Sequence, residues 1–140
     1  MSSTGGHGDF TNGTKKESYG ILGPKDGIVD SPDDARKAVR QRYKNGADWI
    51  KITATGGVLD ISKSDANPQF TNEEIYTITK TASDYGLKVA AHAHGDEGMY
   101  RAVANGVKTI EHGTLIKERT MDLMISKEAY LVPTISAGKF

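Results

Sequence analysis

The sequence predicts an α/β fold built around a parallel sheet. From Ser31 onward, segments with the apolar spacing of a helix alternate with short apolar segments of strand type, four times over. The connection from each helix to the next strand is short. Such alternation indicates parallel strands covered by helices. An open doubly wound sheet and a closed (β/α)8 barrel both satisfy it. A full barrel takes about 250 residues, so this chain would supply about half of one.

Composition and charge narrow the class of partners. Hydrophobic residues make up 36% and charged residues 26% of the 140 residues, which is typical of a soluble globular protein. The 18 basic and 18 acidic residues cancel, so neither nucleic acid nor a membrane is an expected partner. The absence of cysteine excludes disulfides and thiolate metal sites. No membrane span or signal peptide is visible, and cytoplasm and periplasm both stay open as locations.

Residues 1–30 are predicted to be a loop. The stretch STGGHGDFTNGTKKESYGILGPKDG is rich in Gly, Thr, Asn and Lys and has little periodicity. A loop of this length in a compact domain is usually functional or disordered. Its GGHGD segment is a weak match to a phosphate-binding glycine loop, because it lacks the strand and helix that flank a dinucleotide fingerprint.

The first repeated unit is a helix at residues 31–46 followed by a strand. Ser31 is the expected N-cap, Pro32 takes the first helical position and Asp34 completes a capping box. Gly46 is expected at the C-terminal cap. The strand that follows lies in ADWIKITATGG and runs into a glycine turn. The apolar stripe of the helix consists of Ala35, Ala38, Val39 and Tyr43.

The remaining units repeat this pattern. A helix at residues 71–86 has Thr71 and Glu74 as its capping box, ends at Gly86, and precedes the strand LKVAAHA. A short helix closed by Gly106 precedes the strand VKTIEHG, and a last helix within IKERTMDLMISKE precedes the strand AYLVPTIS. The apolar stripes of the second and third helices consist of Ile75, Ile78, Ala82, Tyr85, Met99, Ala102 and Val103.

Polar side chains gather where the predicted strands end, which is where parallel α/β folds place their sites. By alternation, Ile50 and Ile52 share the helix-covered face, so Lys51 points to the opposite face or into a barrel. A buried ammonium is costly unless it is paired. Two alternatives stay open. Either Lys51 bonds a nearby carboxylate at a wet strand end, or it loses its proton and adds carbon dioxide, forming a carbamate that bridges two metals.

Three histidines close the second and third strands. His92 and His94 share one strand parity, and His112 ends the next strand. They form either a metal site or a group of hydrogen-bonded histidines at the start of a loop. Neutral imidazoles and oxygen ligands without thiolate favour zinc or a similar divalent ion. By alternation Glu111 turns away from His112, and we expect it to form an ion pair beneath the site.

Long stretches of the sequence resemble one enzyme superfamily. They are GADWIKITATGGVLD, FTNEEI, GLKVAAHAHGDEGMYRAVANGVKTIEHGT and YLVPTIS, with TGGHGD upstream. With Lys51, His92 and His112 at the ends of successive strands, the chain resembles the metal-dependent amidohydrolase superfamily. The narrower resemblance is to its imidazolonepropionase-like group, which contains Xaa-Pro and Xaa-Arg/Lys dipeptidases.

The resemblance implies an α/β fold that is part of a (β/α)8 TIM barrel of the metal-dependent hydrolase type, about strands three to seven. Residues 1–140 would form one partial catalytic barrel, with an active-site loop region at 1–30 and repeated αβ units at 31–140. The strand-one H-x-H pair and the strand-eight aspartate of the family are missing from the sequence. We therefore expect the chain to be a piece of a barrel.

The resemblance also implies a site that holds one or two zinc ions. Lys51 corresponds to a strand-four lysine that carries a carbamate formed from carbon dioxide in binuclear members. His92 and His112 correspond to ligands, and with Lys51 they make up the metal-binding and catalytic set. His92 is preferred to His94 as the ligand because its separation of 20 residues from His112 fits the family better than 18. The substrate-binding positions that the resemblance implies are His7, His94 and Tyr100.

The activity implied by the resemblance is metal-dependent hydrolysis of C–N bonds in peptides or cyclic amides by a zinc-activated hydroxide. Small molecules, above all dipeptides with a free α-carboxylate, are the expected substrates. One alternative is an inactive barrel fragment that acts only as a metal-binding or oligomeric scaffold. A nucleotide-binding open sheet is another, and the missing phosphate fingerprint disfavours it. The expected protein partners are further copies of the chain, as a homo-oligomer, or the remainder of a barrel.

Overall fold

The computed structural model describes residues 1–15, 18–57 and 66–135, and within them four helices alternate with four strands. In chain order the elements are α1 (Pro32–Lys44), β1 (Trp49–Thr53), α2 (Asn72–Asp84), β2 (Lys88–Gly95), α3 (Asp96–Ala104), β3 (Thr109–Leu115), α4 (Glu118–Ser126) and β4 (Tyr130–Val132). The strands form one sheet in the order β1-β2-β3-β4, and each neighbouring pair is parallel. The predicted α/β class and parallel sheet are confirmed. Ser136, predicted to end the last strand, lies outside the described residues.

The first two helices have the predicted N-cap residues, but among the described residues the predicted capping box is complete only at α2 and half formed at α1. At α2 the Thr71 hydroxyl accepts a hydrogen bond from the Glu74 amide at 3.2 Å, and the Glu74 carboxylate accepts one from the Thr71 amide at 2.8 Å. This is a complete capping box. At α1 the Ser31 hydroxyl accepts from the Asp34 amide at 3.1 Å, and Pro32 lies in the first turn. Both caps satisfy backbone N–H groups that have no partner inside their helix.

Glycine ends three of the helices because the chain enters the left-handed region there. Gly46, Gly86 and Gly106 have φ angles of 81°, 71° and 97°. Residues with a Cβ adopt this conformation at a cost of roughly 1–2 kcal/mol. After the fourth helix the left-handed residue is Glu128, whose φ is 52°, and the Ala129 amide closes the turn on the Met124 carbonyl at 2.9 Å. The predicted glycine signals are confirmed.

The core lies between the helices and one face of the sheet. Ile50 and Ile52 point to this face and are buried, as predicted, whereas Trp49 and Lys51 point to the opposite face and are exposed. The opposite face is the one that bears the candidate site, and we call it the site face. The buried residues that complete the core layer include Val29, Ala35, Ala38, Val39, Ile75, Ile78, Ala82, Val89, Ala91, Ala93, Met99, Ala102, Val103 and Ile110.

Two tyrosines of the predicted apolar stripes lie outside this core. Tyr43 is 50% exposed and Tyr85 is 37% exposed. Their rings contact each other with centroids 4.4 Å apart. The expectation that both rings face the core was wrong. The two rings pack against each other at the surface, where each phenol oxygen can still bond water.

The first residues of the chain run beside β1. The Met1 ammonium donates to the Lys51 carbonyl at 2.6 Å, and the Thr53 amide donates to the Met1 carbonyl at 3.1 Å. Ser2 forms a single parallel bridge with Ile28. In its described part, the region before α1 otherwise consists of turns and coil, as predicted. No helix among the described residues has both the length and the apolar character to cross a membrane.

Candidate metal and active site

Three imidazoles meet at the carboxyl ends of β2 and β3. His92 and His94 of β2 and His112 of β3 bring one ring nitrogen each to within 4.8 Å of one another. The ring centroid of His92 lies 4.8 Å from that of His94 and 4.9 Å from that of His112. The centroids of His94 and His112 are 5.0 Å apart. His92 and His94 are each only 7% exposed. Donor atoms at these separations can surround one cation.

The fourth histidine joins this group from the N-terminal loop. The His7 ring stacks on the His92 ring at 4.3 Å and 19°. Its backbone amide donates to the Gln69 side-chain carbonyl at 2.9 Å. A Cβ added at Gly57 would lie 2.4 Å from the His7 ring, so this approach requires glycine. The expectation that His7 sits at a strand end near the site is consistent with this placement, while its role in binding substrate stays a prediction.

Asp9 fixes the conformation of the His7 loop. Its carboxylate accepts hydrogen bonds from the Gly5 amide at 2.9 Å, the Thr11 amide at 3.0 Å and the Thr11 hydroxyl at 2.7 Å. Burial works to raise the pKa of Asp9, but the bonds from Thr11 and Gly5 outweigh burial and lower it. The loop that carries His7 is therefore held by an ionised carboxylate at neutral pH.

His92 is held in one orientation by a backbone carbonyl. Its Nε2 lies 3.1 Å from the Gly56 oxygen. Because a carbonyl oxygen only accepts, Nε2 carries the proton and Nδ1 carries the lone pair. Burial, partly opposed by the Gly56 hydrogen bond and assisted by the neighbouring histidines, lowers the pKa of His92 to about 4. His92 is therefore neutral at pH 7, which is the form that binds metal.

Threonine hydroxyls orient the other two imidazoles. Nδ1 of His94 lies 2.8 Å from the Thr114 hydroxyl, and Nδ1 of His112 bonds the Thr134 hydroxyl. In metal sites, a ligating histidine usually has its second ring nitrogen held by such a partner. In each of the three imidazoles one ring nitrogen is already engaged, so each offers its other nitrogen to an ion, and nitrogen donors of this type fit a zinc-like divalent ion.

An irregularity in β3 turns His112 toward the site. The register between β2 and β3 shifts after the pair formed by Ala93 and His112. His112 has a φ of 72° and Gly113 a φ of 64°, so two consecutive residues are left-handed. Such a bulge places an extra residue in the strand and breaks strict alternation.

Glu111 was expected to point away from His112, and this expectation was wrong. Glu111 lies level with His92 across the β2–β3 pair, so its side chain is on the site face as well. Its carboxylate accepts a hydrogen bond from the Thr109 hydroxyl at 2.7 Å. Among the described residues it forms no ion pair. The bulge is the physical reason, because it lets two successive side chains face the same side.

Lys51 lies on the site face, one strand away from the imidazoles. Thr53 is level with His92, and Lys51 is level with Ala90. Lys51 is therefore one side-chain repeat, roughly 7 Å along the strand, from the level of His92. The Lys51 side chain is exposed. Its carboxylation and its part in binding metal stay predictions.

Tyr100 is set apart from the histidines. It lies on α3, and the Arg119 guanidinium of α4 sits 4.8 Å from the centre of its ring. Within the described part of the chain, no ring contact joins Tyr100 to the imidazole group. The structure brings His7, His92, His94 and His112 together, and it leaves the substrate-binding role of Tyr100 a prediction.

Sequence patterns missed the residues that orient the imidazoles. Thr114 and Thr134 bond ring nitrogens, and Thr55 bonds the His94 amide at 2.9 Å. The hydroxyl of Thr53 is buried on the site face and has no hydrogen-bond partner among the described residues. A position near the carboxyl end of a strand was the one available signal for these threonines, and it is shared with many residues that have no such role.

Comparison with known proteins finds extensive similarity. The profile of the amidohydrolase family matches residues 8–138. A Xaa-Pro dipeptidase solved with methionine bound in its active site is 55% identical, with a TM-score of 0.94 over 100% of this chain and 34% of that one. A prolidase solved with N-methylphosphonate-L-proline is 38% identical, with a TM-score of 0.81 over 96% of this chain and 34% of that one.

Ochratoxinase from Aspergillus niger is a curated relative. It is 34% identical over 147 aligned residues, which cover 97% of this chain and 31% of the relative. Its crystal structure superposes with a TM-score of 0.86 over 99% of this chain and 34% of that chain, at 32% identity. The chain thus spans about a third of the length of the relatives that it matches.

Proposed function

This chain belongs to the amidohydrolase family, and from that premise we propose that it supplies the metal centre of a hydrolase that cleaves C–N bonds in dipeptide-like substrates. Its parallel sheet is part of the (β/α)8 barrel of that family, as the sequence predicted. The observation that carries the proposal is the group of three imidazoles whose nitrogens lie within 4.8 Å of one another at the strand ends. This is where barrels of parallel strands place their sites.

The donor set supports zinc as the ion. His92 would bind through Nδ1, since Nε2 is engaged with Gly56, and His112 through Nε2, since Nδ1 is engaged with Thr134. Lys51, as a carbamate, would add oxygen ligands and negative charge from the neighbouring strand. Zinc bound there would lower the pKa of a coordinated water and polarise the scissile carbonyl. The hydrogen bonds to Gly56, Thr114 and Thr134 hold the three imidazoles in place, and two of the rings are buried.

The substrate assignment comes from the loop that covers the site. His7 stacks on His92 and is fixed by Gln69 and by the Asp9 loop, so an imidazole stands next to the metal ligands without being one of them. A ring N–H of His7 at that place would donate a hydrogen bond to the free α-carboxylate of a dipeptide. His94 and Tyr100 are the further residues proposed to hold substrate. Relatives described as a Xaa-Pro dipeptidase and a prolidase support this class.

The first experiment measures zinc binding by the purified chain. Elemental analysis and calorimetric titration, with and without bicarbonate, are compared for wild type, His92→Ala and His112→Ala. We expect both histidine variants to lose zinc. We expect Lys51→Ala to remove any bicarbonate-dependent second ion, whereas Lys88→Ala, an exposed lysine on the same face of the next strand, leaves it. A wild-type chain that takes up no zinc contradicts the metal centre.

The second experiment measures hydrolysis. The chain is assayed alone and as a graft that replaces the equivalent third of the 55% identical Xaa-Pro dipeptidase. Xaa-Pro dipeptides, Xaa-Arg dipeptides and lactams are the substrates. We expect the graft to hydrolyse a dipeptide and its His112→Ala variant to fall to background. Zinc binding without turnover in either form would favour the alternative function, a metal-binding scaffold.

A further inference from the structure

Thr55 is a buried polar residue at the point where the chain leaves β1. Its side chain is fully buried, although β1 ends two residues earlier at Thr53. Its backbone forms a single antiparallel bridge with Pro68. A buried hydroxyl that forms hydrogen bonds contributes to stability, because leaving it unpaired is destabilising. Both hydrogen-bond partners of the Thr55 hydroxyl are connected to the imidazole group.

The Thr55 hydroxyl connects the two histidines of β2. It accepts a hydrogen bond from the His94 backbone amide at 2.9 Å and donates one to the Gly56 carbonyl at 2.8 Å. That same carbonyl oxygen lies 3.1 Å from Nε2 of His92. One hydroxyl thus ties the backbone of one histidine to the acceptor that orients the other.

Packing fixes the rotamer of Thr55. A Cβ added at Gly98 of α3 would lie 2.3 Å from the Thr55 methyl carbon and 3.2 Å from the Ala54 carbonyl oxygen. Glycine at this place lets α3 approach the end of β1 closely. The methyl group then rests against the helix, and the hydroxyl points toward β2.

We propose that Thr55 is a positioning residue of the metal centre. Its hydroxyl holds the Gly56 carbonyl against Nε2 of His92, and this leaves Nδ1 of His92 available to the cation. The part that concerns the cation rests on the proposed function, whereas the fixed tautomer is a property of the metal-free chain. Without the hydroxyl, the Gly56 carbonyl loses one of its two donors and is free to turn away from His92. His92 would then exchange between its two neutral tautomers, and the lone pair would face the site only part of the time.

The test reads the tautomer directly in the metal-free chain. Long-range ¹H–¹⁵N correlation spectra of ¹⁵N-histidine-labelled protein at neutral pH distinguish Nε2–H from Nδ1–H. We expect a single Nε2–H tautomer for His92 in wild type and in Thr55→Ser, which keeps the hydroxyl. We expect mixed tautomers in Thr55→Val and in Thr55→Ala, which removes the hydroxyl without crowding Gly98. A wild-type His92 in the Nδ1–H form, or an unchanged tautomer in a folded hydroxyl-free variant, overturns the proposal.

Zinc titration of the same proteins tests the consequence for metal binding. Loss of a residue that orients a ligand typically weakens metal affinity 10–100-fold. We expect a loss of that size in Thr55→Val and Thr55→Ala and none in Thr55→Ser. If the tautomer changes as expected but wild type binds no zinc, the metal centre fails and the orienting role of Thr55 stands. If zinc binds and neither hydroxyl-free variant weakens it, the metal-positioning role of Thr55 is wrong and the centre stands.

Discussion

At the scale of single residues, His112 combines a site role with an unusual backbone. A φ of 72° is uncommon for a residue with a side chain, and His112 is followed by a second left-handed residue, Gly113. Such conformations cost of order 1–3 kcal/mol and are found mainly at functional sites. Here the conformation turns the imidazole to the site face, where a regular strand would have turned it into the core. Stability is given up for the position of one imidazole.

A pair of substitutions at this position separates the backbone cost from the loss of the imidazole. His112→Gly and His112→Ala both remove the ring, but only glycine adopts a positive φ without steric conflict. We expect the metal-free glycine variant to have a free energy of unfolding about 1 kcal/mol higher than the alanine variant. Urea denaturation without metal measures the difference. An alanine variant as stable as the glycine variant would show that the left-handed conformation carries no strain.

At the scale of elements, the sequence predicted what is local and missed what is not. The Thr71 and Glu74 box and the glycine after α1 are decided within a few residues, so their signals are visible in the chain alone. The same holds for the alternation that buries Ile50 in β1. The bulge at His112 was missed because the alternation of side chains between the two faces holds only for a regular strand.

The candidate site was predicted by the same logic, and only in part. Parallel strands place their carboxyl ends together, so His92, His94 and His112 could be expected near one another from strand order alone. The Thr55 contact was missed because its partner, His94, is 39 residues away and depends on how β1 packs against β2 and α3. Contacts of this kind follow from tertiary packing, which no periodicity encodes.

Helix α4 begins without a cap from its own sequence. Its N-cap is Lys117, which provides no side-chain hydrogen bond. Asp96, the first residue of α3, acts in its place: its carboxylate accepts from the Lys117 amide at 2.9 Å, the Thr120 hydroxyl at 2.7 Å and the Arg119 guanidinium at 2.7 Å. Burial works to raise the pKa of Asp96, but these bonds outweigh burial and lower it. One carboxylate thus joins two helices that follow adjacent strands.

Replacing this carboxylate should destabilise the chain in a pH-dependent way. We expect Asp96→Asn to lower the free energy of unfolding by about 2 kcal/mol at neutral pH, since hydrogen bonds to a buried charge are lost. Because the pKa of Asp96 is lowered in the folded state, its contribution is complete above the unfolded value of about 3.9 and is lost as the pH falls through the folded value. The difference between the two proteins should therefore shrink below about pH 4, as measured by denaturation at several pH values.

The matched control for this prediction is Asp122→Asn, which removes an exposed carboxylate from α4, the helix that Asp96 caps. It should change the free energy of unfolding by less than about 0.5 kcal/mol at any pH. An equal effect of both substitutions would mean that general charge on α4, and not the capping contact, accounts for the result.

At the scale of the whole molecule, the two outer strands of the sheet differ. The edge of β1 is accompanied by Met1, which exchanges hydrogen bonds with Lys51 and Thr53. Within the part of the chain that the structure describes, β4 pairs with a strand on one side only. The β4 residues Tyr130, Leu131 and Val132 are 61%, 41% and 47% exposed. An apolar strand with unpaired backbone groups is a template for another strand.

We therefore predict that the purified chain self-associates through β4. Val132→Lys places a charge on this edge and should shift the chain toward the monomer, because charged side chains disfavour strand pairing. Ile125→Lys is the control, since Ile125 on α4 is 77% exposed and lies off the sheet. Sedimentation velocity over a wide concentration range measures both. If the two variants associate equally, or if wild type stays monomeric throughout, the edge of β4 is not the contact. If only Val132→Lys dissociates, β4 pairs with another copy of the chain, which is one of the two partners expected from the sequence.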